Sequence, residues 1–145
     1  MPKIYVDANP RAVAYCIDGG GSNYQLLPSG YTSMQAEYMA VIYGLNEFFL
    51  KWNKELDARD SDRDPETGKF VRVSTPSQQT KRPLPPPILI LSDNEVVVKQ
   101  LSRQYHIKED RLRKLAQQVW DMTQNLEVKF EWISRKENLA GKMLP

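Results

Sequence analysis

The run Ile88–Ser92 followed at once by Asp93, "ILILSD", limits the fold of this chain more than any other stretch. Aliphatic side chains point to both faces of such a strand, so neither face can lie against water. It predicts a short buried strand in a parallel or mixed sheet with helices on both faces. The run ends in a carboxylate and passes directly into a short helix, "NEVVVKQLS" (94–102). Two explanations fit a charge at that junction. It can serve the helix N-terminus, with Ser92 and Glu95 as a capping box. It can also be a ligand group held at the end of a rigid strand.

The rest of the chain supplies the partners such a strand needs. "KIYVD" (3–7), "AVAYCID" (12–18) and "NYQLLP" (23–28) read as three strands. The tight turn "ANPR" and the Gly-rich "GGGS" separate them, which suits an antiparallel meander. From Thr32 to Trp52 the period becomes helical, with Met34, Tyr38, Val41, Ile42, Leu45, Phe48, Phe49 and Trp52 on one stripe. Thr32 and Gln35 offer a capping box at its start. A second helix, 108–123, carries Leu112, Leu115, Ala116, Val119 and Met122. "LEVKFEWI" (126–133) alternates as a half-buried strand with Leu126, Val128, Phe130 and Trp132 inward. "SRKENLAGKMLP" closes the chain as a loop and the first turns of a last helix. The order βββαβααβα is that of a mixed-sheet α/β domain.

Between helix and buried strand, residues 53–87 turn charged, then polar, then proline-rich. They read as a long insertion, with "KFVRV" as a small hairpin arm. The whole chain, 145 residues, suits one domain, 1–145. A net charge of +2 permits a nucleic-acid partner without requiring one. The single cysteine, Cys16, excludes an internal disulfide framework and reads as a buried, inert thiol in a reducing compartment. No apolar stretch approaches the ~20 residues of a membrane helix. The N-terminus lacks the apolar region of a signal peptide. A cytoplasmic monomer is the expectation.

Three carboxylates gain meaning from their places in this order. Asp7 and Asp93 end strands that would lie side by side if parallel neighbours, and Glu37 sits about one turn into the long helix. Ligand groups in open α/β sheets gather beyond the carboxyl ends of strands. Three acids so close repel unless cations neutralise them, and oxygen-only donors favour Mg²⁺ or Mn²⁺. Each acid also has a purely structural reading. Asp7 can start the Asn-Pro turn, Asp93 can serve the helix N-terminus, and Glu37 can reach solvent from the edge of its stripe.

At these residues the sequence resembles the type 1 ribonucleases H. "IYVDA" is similar to the family's first catalytic strand, and "MQAEYMAVIYGL" to its Glu-bearing helix. "LSDNEVVVKQLSRQYHIKEDRLRKL" resembles the most distinctive stretch, Ser-Asp-x-x-x-Val-Val-x-Gln-Leu leading to a Tyr and a second helix. "FEWISRKEN" resembles the last strand and its Arg-x-x-Asn loop. The short link between the two helices resembles members that lack a basic handle region. The resemblance implies a ribonuclease H-like mixed five-stranded sheet and a Mg²⁺- or Mn²⁺-dependent endonuclease that cuts the RNA strand of RNA–DNA hybrids. Asp7, Glu37 and Asp93 then map onto three metal-binding acids, and Asn94, Arg135 and Asn138 onto substrate contacts.

The chain departs from the family at the fourth acid. Aligned from Arg135 and Asn138 to Leu144, Lys142 occupies the Asp position and Gly141 the preceding Ala position. Lys142 would compete with a cation or hold the phosphate itself, and Glu137 is a candidate substitute ligand. The "ANPR" loop is also minimal, and Ser33 and Met34 stand where members often carry Asn. His106, the only histidine, has no partner for a metal or nucleophile site and reads as a surface or packing residue. The alternative reading is a catalytically weakened ribonuclease H-like module that binds nucleic acid or a partner. The 53–87 insertion is a candidate partner surface. A resolvase or transposase domain of the same fold is a third reading, against which the match at 92–115 argues.

Overall fold

The computed structural model describes residues 2–18, 21–60 and 85–144. Strands β1 (Lys3–Asn9), β2 (Ala12–Ile17) and β3 (Gly21–Leu26) precede helix α1 (Ser33–Asp60). Strand β4 (Ile88–Ser92), helices α2 (Glu95–Leu101) and α3 (Asp110–Met122), and strand β5 (Val128–Trp132) follow. Two 3-10 turns, Arg135–Glu137 and Leu139–Met143, complete the order. The expected last helix is therefore a pair of tight turns.

The strands form one five-stranded sheet in the order β3-β2-β1-β4-β5. β1–β2 and β2–β3 are antiparallel, whereas β1–β4 and β4–β5 are parallel. The aliphatic run thus lies in the interior of the sheet, beside β1, as its composition requires. Ile4, Val6, Val13, Tyr15, Ile17, Ile88 and Ile90 form one buried cluster with residues of all three α-helices. At Gly44 the approach of α1 to the sheet is close. A Cβ there would lie 3.0 Å from Ile4 Cγ2 and 3.2 Å from Val6 Cγ1. Glu37 lies seven residues before Gly44, two turns along the same helix face, so this contact holds the start of α1 down against β1.

The Thr32–Gln35 box forms as the sequence predicts. Gln35 N donates to Thr32 Oγ1 at 3.1 Å and Thr32 N to Gln35 Oε1 at 3.0 Å. The helix, however, runs to Asp60 rather than stopping near Trp52. Residues 53–60 have no apolar stripe, but Lys, Glu, Leu, Ala and Arg are strong helix formers and propagate an existing helix. The hairpin arm expected at "KFVRV" lies outside the described residues.

Strand β5 begins at Val128, and only Val128 and Phe130 pack on the core. Trp132, expected inward, is 51% exposed. It stands at the end of an edge strand, and its indole Nε1–H donates to the Asp93 carbonyl at 3.1 Å. Cys16 is half-buried, and burial together with Asp18 pushes its thiol up. His106 lies in the link between α2 and α3, on the surface.

Candidate metal centre

The carboxylates of Asp7, Glu37 and Asp93 meet at one end of the sheet, with an oxygen of each within 4.8 Å of the others. Register explains two of them. Parallel pairing of β1 with β4 ends at Val6 opposite Ser92, so Asp7 and Asp93 are the next residues out on neighbouring strands. β1 itself continues past Asp7 to Asn9, paired with β2. Asp7 is therefore not the turn-former. Asn9 Oδ1 closes the "NPR" turn, accepting from Arg11 N at 2.8 Å and Ala12 N at 2.9 Å. Asp93 is not the cap either. Asn94 caps α2, its Oδ1 accepting from Val97 N at 3.1 Å, and the expected Ser92–Glu95 box does not form. Ser92 Oγ instead accepts from Asn94 N. Glu37 does not reach solvent from the edge of its stripe; it is 8% exposed.

The purely structural explanations thus fall to neighbouring residues, and the acids are left poorly satisfied. Asp7 Oδ1 accepts from Ala8 N at 2.8 Å. Glu37 Oε2 and Asp93 Oδ2 are buried with no hydrogen-bond partner. A buried polar atom left unpaired costs roughly 1–3 kcal/mol, and more if charged. Each pair of charges at about 4.8 Å adds repulsion of roughly 3–4 kcal/mol at an effective dielectric near 20. Burial, then Asp7 and Asp93, push Glu37 up to about 8, against a smaller lowering by Arg135. Burial and Asp93 raise Asp7, while the Ala8 N–H and Arg135 oppose the rise. Neutralisation by a proton or a cation is what this cluster demands. Three oxygen donors, two of them orphaned in the interior, fit a hard divalent ion such as Mg²⁺ or Mn²⁺.

The cleft beside the cluster, about 400 Å³, is lined by Asp7, Glu37, Arg135, Asn138, Gly141 and Lys142 among others. Arg135 is exposed on its rim and is the cation whose field reaches Asp7 and Glu37. Lys142 is exposed on the same rim, and among the described residues no ion pair joins it to the three acids. Glu137 is exposed and lies outside the acidic cluster. Asn138, expected as a substrate contact, is turned inward. It is 1% exposed, its Nδ2 donates to Val6 O at 2.8 Å, and its Oδ1 accepts from Ala140 N at 3.1 Å. Asn94 is likewise occupied in capping α2, with its Nδ2 3.7 Å from Met34 Sδ.

Three features of the site escape sequence reasoning: the Asn138 clamp, the Trp132–Asp93 hydrogen bond, and the contact of Gly141 with Asp7 described below. Asn138 bonds a backbone group 132 residues away, which no local pattern displays. Trp132 reads as one more apolar position in an alternating strand. Gly141, inside "NLAGKML", is the one residue type among these that permits a close backbone approach, and it names no partner.

The structure is thus a five-stranded mixed sheet with three acids gathered at the carboxyl end of its parallel pair. Residues 84–144 match the family model described as reverse transcriptase-like. Among solved structures, LC11 ribonuclease H1 in complex with an RNA/DNA hybrid superimposes with a TM-score of 0.69. Identity is 16% over 99% of this chain and 93% of that one. The N-terminal ribonuclease H domain of a Mycobacterium tuberculosis protein gives 0.65 and 17%, over 98% and 88% of the two chains. Ribonuclease H1 of the halophilic archaeon Halobacterium salinarum gives 0.63 and 18%, over 97% and 91%. Comparison with curated proteins returned no match. The chain has the ribonuclease H-like fold, and its C-terminal part, residues 84–144, is similar to the reverse transcriptase-like family model.

Proposed function

We propose that this protein is a divalent-metal-dependent ribonuclease H that hydrolyses the RNA strand of RNA–DNA hybrids. One observation carries the reading: on a ribonuclease H-like scaffold, three carboxylates converge with two buried oxygens unpartnered. Asp7, Glu37 and Asp93 would hold Mg²⁺ or Mn²⁺. When bound, such ions supply an activated water and neutralise charge on the phosphate. The chain's own residues do the rest. The three carboxylates are fixed by β1, α1 and β4 before substrate arrives. Arg135, exposed at the rim, is placed to attract the phosphate backbone. Lys142 adds a second cation beside it where the family carries an acid, and so either weakens one metal position or takes over part of its charge.

A single-domain cytoplasmic monomer remains the working description. Among the described residues no helix is long and apolar enough to cross a membrane. The deciding experiment measures cleavage of a labelled RNA–DNA hybrid, an RNA duplex and a DNA duplex with Mg²⁺, Mn²⁺ or EDTA. Hybrid-selective cleavage that needs the metal is expected. Binding of the hybrid without cleavage at any metal concentration would favour the alternative, a weakened nucleic-acid-binding module. Lys142 at the fourth acid position is the feature that favours it.

A further inference from the structure

The turn Leu139–Met143 crosses β1 beside Asp7, and Gly141 makes the contact. A Cβ at Gly141 would lie 2.8 Å from Asp7 Oδ2 and 3.9 Å from its Cγ. Ordinary contact begins at 3.4 Å, so moving from 2.8 to 3.4 Å requires a shift of about 0.6 Å. The question is which partner yields.

The turn cannot easily recede. Asn138 ties it to Val6 O, holds Ala140 N with its own Oδ1, and accepts from Gly141 N at 3.2 Å through its carbonyl. Ala140 and Asn138 are both buried, at 0% and 1% exposure. Nor does the backbone at 141 demand glycine, since it lies outside the positive-φ region that Gly21 and Gly30 occupy. Oδ2, by contrast, is the far end of a side chain held only through Oδ1 by the Ala8 N–H. A methyl group at 141 would therefore turn the carboxylate and leave the fold in place. A displacement of that size exceeds the roughly 0.5 Å tolerance of a preorganised constellation.

We propose that Gly141 is a positioning residue: its bare Cα backs Asp7 Oδ2, aims that oxygen into the acidic cluster, and so sets the affinity for a divalent cation. The inference rests on the metal-site reading above. It also explains why a replacement for the absent fourth acid cannot be housed at 141, since any side chain there disturbs the acid already present.

The test uses the full chain and two measurements, Mn²⁺ binding by calorimetry and Tm in EDTA, on wild type, Gly141→Ala, Asp7→Ala and the double variant. Gly141→Ala should keep its EDTA Tm within about 3 °C and weaken Mn²⁺ binding about 10-fold or more. In the Asp7→Ala background the same change should alter the residual affinity by less than about 2-fold, because the two act through one carboxylate. Unchanged affinity in Gly141→Ala overturns the proposal, as does equal weakening in both backgrounds. A Gly141→Ala protein that fails to fold, or a double variant that folds where the single does not, shows that the fold bears the contact and overturns it too. A wild type that binds no Mn²⁺ removes the metal-site reading and this inference with it; a wild type that binds, beside an unaltered variant, removes this inference only.

Discussion

Glu37 and Tyr38 are consecutive residues on α1, both buried and both polar, and they meet opposite fates. Tyr38 points into the junction of α1 with α2, where its hydroxyl donates to Gln100 Oε1 at 2.6 Å. Glu37 points toward the strand ends, where its Oε2 finds no partner and two further carboxylates crowd it. The first region is complete as folded; its polar atoms stitch two helices together. The second is left unsatisfied by the fold. Buried polarity thus divides into groups whose hydrogen-bond capacity the fold satisfies and groups whose capacity it leaves unmet.

The sharpest way to break this comparison is Asp93→Asn. If the cluster exists for a cation, hybrid cleavage should fall by about 10³-fold while the metal-free protein stays folded. Retained cleavage at saturating Mg²⁺ would place the chemistry elsewhere.

Next comes a pair of neighbouring substitutions read by denaturant melts in EDTA. Tyr38→Phe leaves Gln100 unpaired and should cost roughly 1–3 kcal/mol. Glu37→Gln puts a permanently neutral group where a carboxyl must otherwise be held protonated, and should be neutral or stabilising by about 1–2 kcal/mol near neutral pH. Two destabilisations of equal size would erase the distinction between the regions.

The pH dependence follows from the raised carboxyls. Glu37 in the folded protein holds its proton up to about pH 8, against 4.5 ordinarily. The folded state therefore binds more protons than the unfolded state across that window. The contribution of Glu37 to metal-free stability is full below about pH 4.5, declines as pH rises, and is lost by about pH 8. Asp7 shifts in the same direction. Tm in EDTA should fall across this range, and Glu37→Gln should flatten the slope. Saturating Mg²⁺ should flatten it as well, since a cation replaces the proton and binding releases it. A profile unaltered by either change would mean that other groups set it.

A smaller effect is expected at Lys142, which lines the cleft without pairing to the acids. Lys142→Asp should raise the rate at low Mg²⁺ by severalfold, with Lys142→Ala intermediate. Loss of activity in both would show that the lysine holds the phosphate, and identical metal curves would show that it faces away.

The smallest effect concerns the long connection. Glu37 lies near the start of the 28-residue α1, about 35 Å from Asp60 at ~1.5 Å per residue. Ile88 begins β4 at the end away from Asp93. Replacing residues 61–84 by a short linker should change cleavage of a short hybrid by less than about 2-fold. Complete loss in a folded variant would give this segment a role at the site.

Much of this arrangement is legible in the residues. "ILILSD" announces an interior strand ending in an acid, and the stripe from Met34 to Trp52 places Glu37 on the buried side of a helix. Those three acids and the Thr32–Gln35 cap follow from local patterns. What stays hidden depends on distant pairings or on position within the sheet. Trp132 alternates with Val128 and Phe130, yet it lies at an edge-strand terminus, where it serves a carbonyl instead of the core. Asn138 enters the sequence reading only through the family resemblance, as a substrate contact, and nothing near it reveals Val6 as its partner. The final segment has helix-forming residues but tightens into a 3-10 turn, with Asn138 and Gly141 drawn against β1.

The bond from Asn138 to Val6 also sets an order in time. Its two ends are 132 residues apart. At a synthesis rate of 5–20 residues per second, β1 leaves the ribosome roughly 7–26 s before its clamp does. During that interval Asp7 can pair with β2 but lacks the turn that aims its carboxylate. The nascent protein can therefore form its β1–β2 pair well before the turn that carries Asn138 and Gly141 is available to close against Asp7.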